Sequence, residues 1–597
     1  MDGDSANKKG WRRFRRLKIQ KGSLKRRARK IESATLKHAH RFLTRRWTNV
    51  RDVSRYTISW LVGVGVLIAL ASLQLVWYSE AYTTQAPAAG GVYAEGMVGR
   101  LETMNPLFAT TPAEVSAAKL VFSGLLRYDK DNQLQSDVAD RLIVSSDQKV
   151  YDVTLRSDVY WHDGQRLTAD DVVFTVHLMQ DITVKAQQYG NWVGVKVEKV
   201  SDTEVKFTLP AIYAPFAQSL TFGILPQHVL KDVRPSDLRE NGFGRAPVGT
   251  GPFVFSHIQL INPDNDELVA HFDANAKFYR GKPLLIRFQI HTYKDKDMLK
   301  RALLASEVNA ALGLGVDQIQ SVSQRGNLTA TTNALSDGMF AIFNNDSPVL
   351  KDVQVRQALL LGTDRAQVLK AIFGRGIQMG GPLPDVLVSN AVNKQPAFDI
   401  KAATAKLDAA GWKLVGLDRQ KDGVKLELRV VAPDSGDYKI ILSELTRQWK
   451  LLGVTVTTEL ASPETIVSDV LQPRSYDVLI YELAIGADAD VYSYWHSSQA
   501  NAKGLNFANY RSGLADDALS SARVRSDPTL RAAKYKTFYD QWVKDAPAIA
   551  LYQPLLSYVS NTTGTNIESN EWVANAATRY RNIERWSIAH TTVMTTP

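Results

Sequence analysis

The chain has 597 residues, too many for one hydrophobic core, so at least two packed units are expected. Hydrophobic content of 45% and charged content of 22% are ordinary globular values, and the absence of Cys excludes disulfides, thiolate metal sites and a Cys nucleophile, as well as a lipid-anchored N-terminal Cys. The net charge of +11 is confined to one end: residues 1–55 hold 19 Lys/Arg against 4 Asp/Glu, leaving the rest at −4, and no nucleic-acid partner is expected.

The basic stretch, "KKGWRRFRRLKIQKGSLKRRARK", is followed by "YTISWLVGVGVLIALASLQLVWYS", 24 residues without a charge. About 20 apolar residues span a bilayer as a helix, and Tyr56, Trp60, Trp77 and Tyr78 suit the two interfaces. The positive-inside rule then puts residues 1–55 in the cytoplasm and the chain after the helix outside. A cleaved signal peptide is the rival reading, but its basic and apolar regions would both be overlong. The tail reads as a topology determinant attracted to anionic lipid headgroups. Residues 56–79 are thus expected to be a transmembrane anchor in the cell membrane, and 80–90 a flexible linker.

The body opens on a dense polar motif, "YWHDGQRLTADDVVF" at 160–174. Val150 to Val159 alternates as a half-buried strand, and Asp163-Gly164 supplies a turn. Thr168 and Asp171 then form a capping box at the start of a helix whose apolar face is Val172, Val173, Val176 and Met179. Asp170 and Asp171 also suit the helix dipole. His162 has no partner at ligand spacing, so strand, turn and capped helix account for the motif without a metal. Further on, "VKLELRVVAP" (424–433), a helix over 436–452 and "VTVTTEL" (454–460) imply a parallel pair. "PETIVSDVLQ" reads as a helix and "YDVLIYELAI" (476–485) as another strand, extending an α/β lobe.

Catalytic signatures are missing: there is no Gly-x-Ser-x-Gly, His-Glu-x-x-His or Gly-x4-Gly-Lys-Ser/Thr. The ten His are scattered, and the Asp pairs at 170–171 and 516–517 sit at expected helix starts. No enzyme activity and no cofactor are expected.

"WHDGQRLTADDVVF" resembles the signature of the family 5 extracytoplasmic solute-binding proteins, the oligopeptide- and dipeptide-binding components of ABC importers. Other segments resemble the family in the same order: "LETMNPLFA", "VFSGLLRYDKDNQL", "APVGTGPFVF", "VRQALLLGTDR", "GADADVYSYWHSSQ" and "DAPAIALYQPLLSYV". The resemblance covers roughly residues 91–590. It implies a two-lobed α/β periplasmic-binding-protein-like fold with an extra subdomain. Lobe I is expected over 91–340, with the subdomain about 136–240. Lobe II is expected over 341–550, and the return to lobe I over 551–597.

The resemblance also implies a site. Ligands bind beyond the carboxyl ends of strands in such sheets, and by position Asp488 matches a residue that pairs with a peptide's α-amino group in relatives. Asp490 matches an acidic neighbour. Tyr492, Tyr494 and Trp495 are candidates for pocket walls, with helix core as the alternative for Tyr494 and Trp495. Thr110 and Thr111 match a ligand-facing loop of lobe I. Glu482 and Ile485 stand where oligopeptide binders can place a basic residue and a Trp, a departure that bears on ligand type. The expected function is capture of peptides for an ABC permease and its ATPase. The alternative is a stand-alone binding or sensor module for another solute.

Overall fold

The computed structural model describes residues 50–129, 132–262, 267–323, 326–388, 392–462, 465–561, 572–573 and 575–594. The segment 1–49, and with it nearly all of the expected cytoplasmic tail and its attraction to headgroups, lies outside these residues. The chain divides into two compact units, residues 1–85 with 592–597, and residues 86–591.

In the first unit the helix Val50–Tyr82 contains Tyr56–Trp77, a 22-residue stretch of mean hydropathy 2.1 with none of its apolar window buried. It is long and apolar enough to cross a bilayer. Thr83–Ala88, expected to be flexible spacer, is a strand. Backbone pairing with the strand Ala589–Met594 sets the conformation in spite of the local polarity, and Ser587 Oγ adds a 2.8 Å side-chain bond to Ala88 O.

The second unit is built on two mixed α/β lobes. In lobe I, Arg287–Tyr293 pairs in parallel with Val92–Val98, which pairs in parallel with Ala310–Leu312. Phe253–Asn262 and Glu267–Ala274 extend that sheet antiparallel. In lobe II, Glu427–Pro433 pairs in parallel with both Thr455–Ala461 and Val478–Ala484, with Gly436–Lys450 as the crossover helix. The parallel pair expected from the strand, helix, strand pattern is therefore present. "PETIVSDVLQ" instead holds a π-helical turn at Val467–Leu471. Val478, Leu479 and Ile480 are fully buried because helices cover both faces of the sheet. Val478 and Ile480 pack with Trp449, and Leu479 with Trp495 and Trp542.

The long strand Ala548–Asn561 joins the lobes. Its first part pairs with Asp337–Phe343 (Met339 opposite Tyr552), and its second with Leu328–Leu335 (Ala334 opposite Leu555). The chain thus crosses twice, side by side, at 335–337 and 552–555. Gln553 Nε2 ties the two crossings by donating to Leu335 O at 2.6 Å.

The extra subdomain on lobe I is a four-stranded antiparallel sheet, Ala139–Val144, Val150–Leu155, Glu204–Thr208 and Lys196–Ser201 in spatial order. Tyr151, Val153 and Leu155 are buried on alternate positions, and the helix Ala169–Gln180 buries Val172, Val176 and Met179 in the same core. Asp171 is the hub of the capped turn. It accepts from Thr168 N (2.9 Å), Gln227 N (2.9 Å) and Trp161 Nε1 (3.3 Å).

His162 does more than complete a turn. Its Nδ1 accepts from Gly249 N at 3.3 Å, so Nε2 carries the proton and donates to Gly251 O at 3.1 Å. The Gly-Thr-Gly-Pro loop is held flat against the helix Pro112–Val121. A Cβ at position 249 would meet Val121 O at 1.9 Å, which only glycine avoids.

Burial pushes His162 down to about 4, opposed by its bond to Gly251. Burial, with His271 nearby, does the same to His291. An unfolded His takes its proton near pH 6.5, so the unfolded chain binds protons first as pH falls. Stability contributed by the two neutral rings is therefore complete above about pH 7 and declines between about pH 6.5 and 4, by roughly 3 kcal/mol per ring. Denaturant unfolding from pH 7 to 4 should show this slope, and His162→Gln should flatten it by about one proton. An unchanged slope in the variant would show that His162 does not titrate on unfolding.

Candidate functional site

The loop that follows Val478–Ala484 hangs from the first lobe crossing. Ser336 O accepts from both Ile485 N and Gly486 N at 3.1 Å, and Gly486 turns the chain with φ +82°. This places Asp488 and Asp490 where the two lobes meet. Asp488 faces Arg531 of the helix Pro528–Asp545 in a two-point pair, Nη1 to Oδ2 at 2.5 Å and Nη2 to Oδ1. Asp490 N also donates to Oδ1 at 2.9 Å, and Gln218 Nε2, from lobe I, donates to Oδ2 at 3.0 Å. A carboxylate accepts about four hydrogen bonds, so the acceptor capacity of Asp488 is full.

A second bridge lies beside it. Asp490 Oδ2 takes a 2.9 Å bond from Arg523 Nε, whose guanidinium lies between the rings of Tyr213 from lobe I (4.8 Å) and Tyr492 from lobe II (4.4 Å). Ala214 N donates to Arg523 O at 2.7 Å. Burial raises the Asp490 carboxyl above its usual range, opposed by Arg523. The rings and the carboxylate hold Arg523 through cation–π and charge-assisted contacts at once.

Asp488, Asp490 and Tyr492 therefore share one interlobe contact. The other expected residues fall elsewhere. Tyr494 and Glu482 line a cavity of about 390 Å³ on lobe II, with Arg474, Lys503 and Phe507. Tyr494 OH donates to Ala484 O at 2.7 Å. Trp495 is 1% exposed and packs on Phe340 and Trp542, and Ile485 lies in the same core. Thr110 and Thr111 cap the helix Pro112–Val121: their N–H groups donate to Glu114 Oε2 at 2.9 and 3.0 Å.

Sequence reasoning passed over Arg523, Arg531, Tyr213, Gln218 and Asp337. Arg531 lies 43 residues from Asp488, so no local spacing marks the pair. Asp337 sits at the lobe crossing, where burial and the neighbouring Glu482 push its carboxyl up to about 7. Near neutrality that carboxyl is only partly ionised.

A larger cavity of about 420 Å³ opens in lobe I. The helix Pro112–Val121 lends Val115, Ala118 and Lys119, and the 187–192 and 218–223 segments and the C-terminal 575–581 stretch close it. Gln218 belongs to this wall and to the Asp488 bridge at once, and Tyr128 OH reaches Gln218 Oε1 at 3.4 Å. The cavity thus shares its Gln218 wall with the interlobe contact.

Two α/β lobes joined by paired crossings, with a polar loop at a strand's carboxyl end reaching the opposite lobe, define a two-lobed solute-binding protein. Residues 133–504 match the bacterial extracellular solute-binding proteins, family 5 (middle region), and the chain belongs to that family. It is 27% identical over 484 residues to the oligopeptide-binding protein AppA of Bacillus subtilis, covering 78% of this chain and 87% of that protein. It is 29% identical over 464 residues to protein XP55 of Streptomyces lividans, covering 75% and 81%. The structure of Bacillus subtilis AppA in complex with a nonapeptide superposes with a TM-score of 0.72 at 26% identity, covering 84% of this chain and all of that one. NikZ of Campylobacter jejuni in complex with Ni(L-His) gives 0.69 at 27%, covering 83% and 99%. The family comprises substrate-binding proteins of ABC importers, not enzymes.

Proposed function

We propose that this protein is a membrane-tethered receptor that captures peptides, oligopeptides in particular, between its lobes and delivers them to an ABC permease and its ATPase. The observation that carries this is the placement of Asp488. It stands just past the carboxyl end of a lobe II strand and bonds across the cleft to Gln218. The likeness to AppA, named for oligopeptides and described with a nonapeptide, supports the ligand class. The apolar helix over Tyr56–Trp77 supports the tether, with the N-terminus cytoplasmic and the lobes outside. The division at 340/341 and 550/551, with the subdomain over about 136–240, belongs to the same proposal.

With its four acceptor positions in use, Asp488 takes a peptide's α-ammonium by exchanging a donor. Gln218 is the donor to exchange, because it is neutral and comes from the opposite lobe, whereas Arg531 is charged and held at two points. Tyr492 lies against the same contact, and Glu482 with Tyr494 faces the lobe II cavity. In this reading those residues contact ligand side chains, and Thr110 and Thr111 position the lobe I loop.

Calorimetry with one peptide and its N-acetylated twin tests the reading. Acetylation should weaken binding by about tenfold or more, as expected for losing a hydrogen bond between charged groups. Equal affinity for the two would remove the amine role of Asp488.

A further inference from the structure

The lobe I cavity has a charge pattern of its own. Lys119, Arg127 and Arg581 stand in its wall, and no carboxylate is among its described lining residues. The two arginines are held partly by backbone. Arg127 Nη1 donates to Arg581 O at 3.3 Å, and Arg581 donates to Thr578 O at 3.3 Å and to Asp129 O. Nearby carboxylates are engaged elsewhere: Asp137 accepts from Tyr279 OH at 2.6 Å, and both Asp137 and Glu584 face Arg280, at 3.6 and 3.4 Å.

Lys119 is different. It is half-buried in the last turn of the helix Pro112–Val121, and no hydrogen bond or ion pair holds its ammonium among the described residues. The helix C-terminus favours a cation there by only a fraction of a hydrogen bond's worth. Burial pulls the ammonium below its usual range, opposed at longer distance by Asp137. An ammonium offers three donors, and with two guanidinium groups beside it in the same wall and no carboxylate among the described lining residues, a negatively charged ligand group is the partner the set is built to take. Phe122, Trp192 and Phe222 supply apolar walls around it, the usual composition of a site that fixes one polar group and covers the rest.

We propose that this cavity is an anion subsite in which Lys119, flanked by Arg127 and Arg581, binds a carboxylate group of the captured solute. The inference deepens the peptide reading and rests on it for the identity of the solute. The carboxylate is either a peptide's C-terminus or an acidic side chain. Gln218 stands in the cavity wall and bonds to Asp488, so one extended ligand that displaces it would reach both.

Two measurements on the full-length detergent-purified protein test it. The first compares thermal unfolding in sodium succinate and in sodium chloride of equal ionic strength. Succinate should raise the wild-type transition by a few degrees through preferential binding to the folded state, and Lys119→Met should abolish the rise. The second is calorimetry with tetra-alanine, its C-terminal amide, and Ala-Glu-Ala-Ala amide. One or both acid-bearing peptides should bind wild type about tenfold to a hundredfold tighter than the neutral amide, the range for a hydrogen bond to a charged group. Whichever binds tighter identifies the source of the carboxylate. Lys119→Met should lose that preference and keep the affinity for the neutral amide. Lys119→Gln, which keeps a polar donor, replaces it if the Met variant does not fold. An equal succinate rise or an equal acid preference in wild type and variant would overturn the subsite, and so would binding of all three peptides to wild type with equal affinity. If no peptide binds while the Lys119-dependent succinate rise persists, the peptide reading fails and the subsite stands.

Discussion

Replacing Arg579 with Ala should cost about 3–5 kcal/mol of stability, the range for removing one member of a buried ion pair. Arg579 is 8% exposed, and its partner Glu95, on the central lobe I strand Val92–Val98, is fully buried. Arg579 Nε donates to Glu95 Oε1 at 2.8 Å. Its Nη2 donates to Ser116 Oγ at 2.9 Å and to Tyr580 OH at 2.6 Å, and Tyr580 OH bonds in turn to Glu95 Oε2. Without the guanidinium, Glu95 would be a carboxyl group in a low-dielectric core with one hydroxyl left to it. Replacing both residues by Met should restore much of the loss, since an apolar pair of similar volume removes the uncompensated charge. Denaturant unfolding of the single and double variants measures the difference. If the single variant lost under about 1 kcal/mol, Glu95 would not depend on Arg579 for its place in the core. The pair also anchors the C-terminal stretch whose Asn575, Ala577, Thr578 and Arg581 close the lobe I cavity. Ligand binding should therefore weaken together with stability.

The second large effect concerns Arg531. Asp488 and Arg531 are only 13% and 17% exposed at their side chains, so removing the guanidinium leaves a largely desolvated carboxylate. Arg531→Met should lower stability by about 2–5 kcal/mol. It should also change recognition in the opposite sense. A ligand ammonium that takes the place of Gln218 lies beside the Arg531 charge on the same carboxylate and is repelled by it, so peptides with a free amine should bind the variant more tightly, by about tenfold or more. N-acetylated peptides should gain nothing. Asp488→Asn should remove the discrimination between the two peptides in either background. Calorimetry over this double-mutant cycle isolates the coupling. Tighter binding of free and acetylated peptides alike in Arg531→Met would place the amine elsewhere.

Much of the architecture was legible because it is written at short range. The alternation from Val150 and the Thr168 and Asp171 cap mark a strand and a helix start through backbone chemistry confined to a few residues. The apolar run at 476–485 marks a strand covered on both faces, and the 424–460 pattern marks a parallel pair through the length of its crossover. Periodicity failed where neighbours in space decide. Residues 83–88 form a strand through backbone pairing, and 467–471 wind into a π-helical turn that an ordinary helical pattern does not distinguish. Within the site, Asp488 was visible from its motif, but its pairing with Arg531 was not. That contact joins a loop to a helix 43 residues on, across a packed core. Lys119 carried no signal at all, because a lysine in the last turn of a helix is an ordinary surface choice. Only the cavity closed by the distant 575–581 stretch gives it a role.

Native mass spectrometry of the full-length protein extracted from membranes shows most directly whether this protein holds peptides. Mass increments that fragment into amino-acid sequences are expected, diminished in Asp488→Asn. Increments that fragment as a metal chelate or a sugar, with none yielding peptide sequence, would contradict peptide capture.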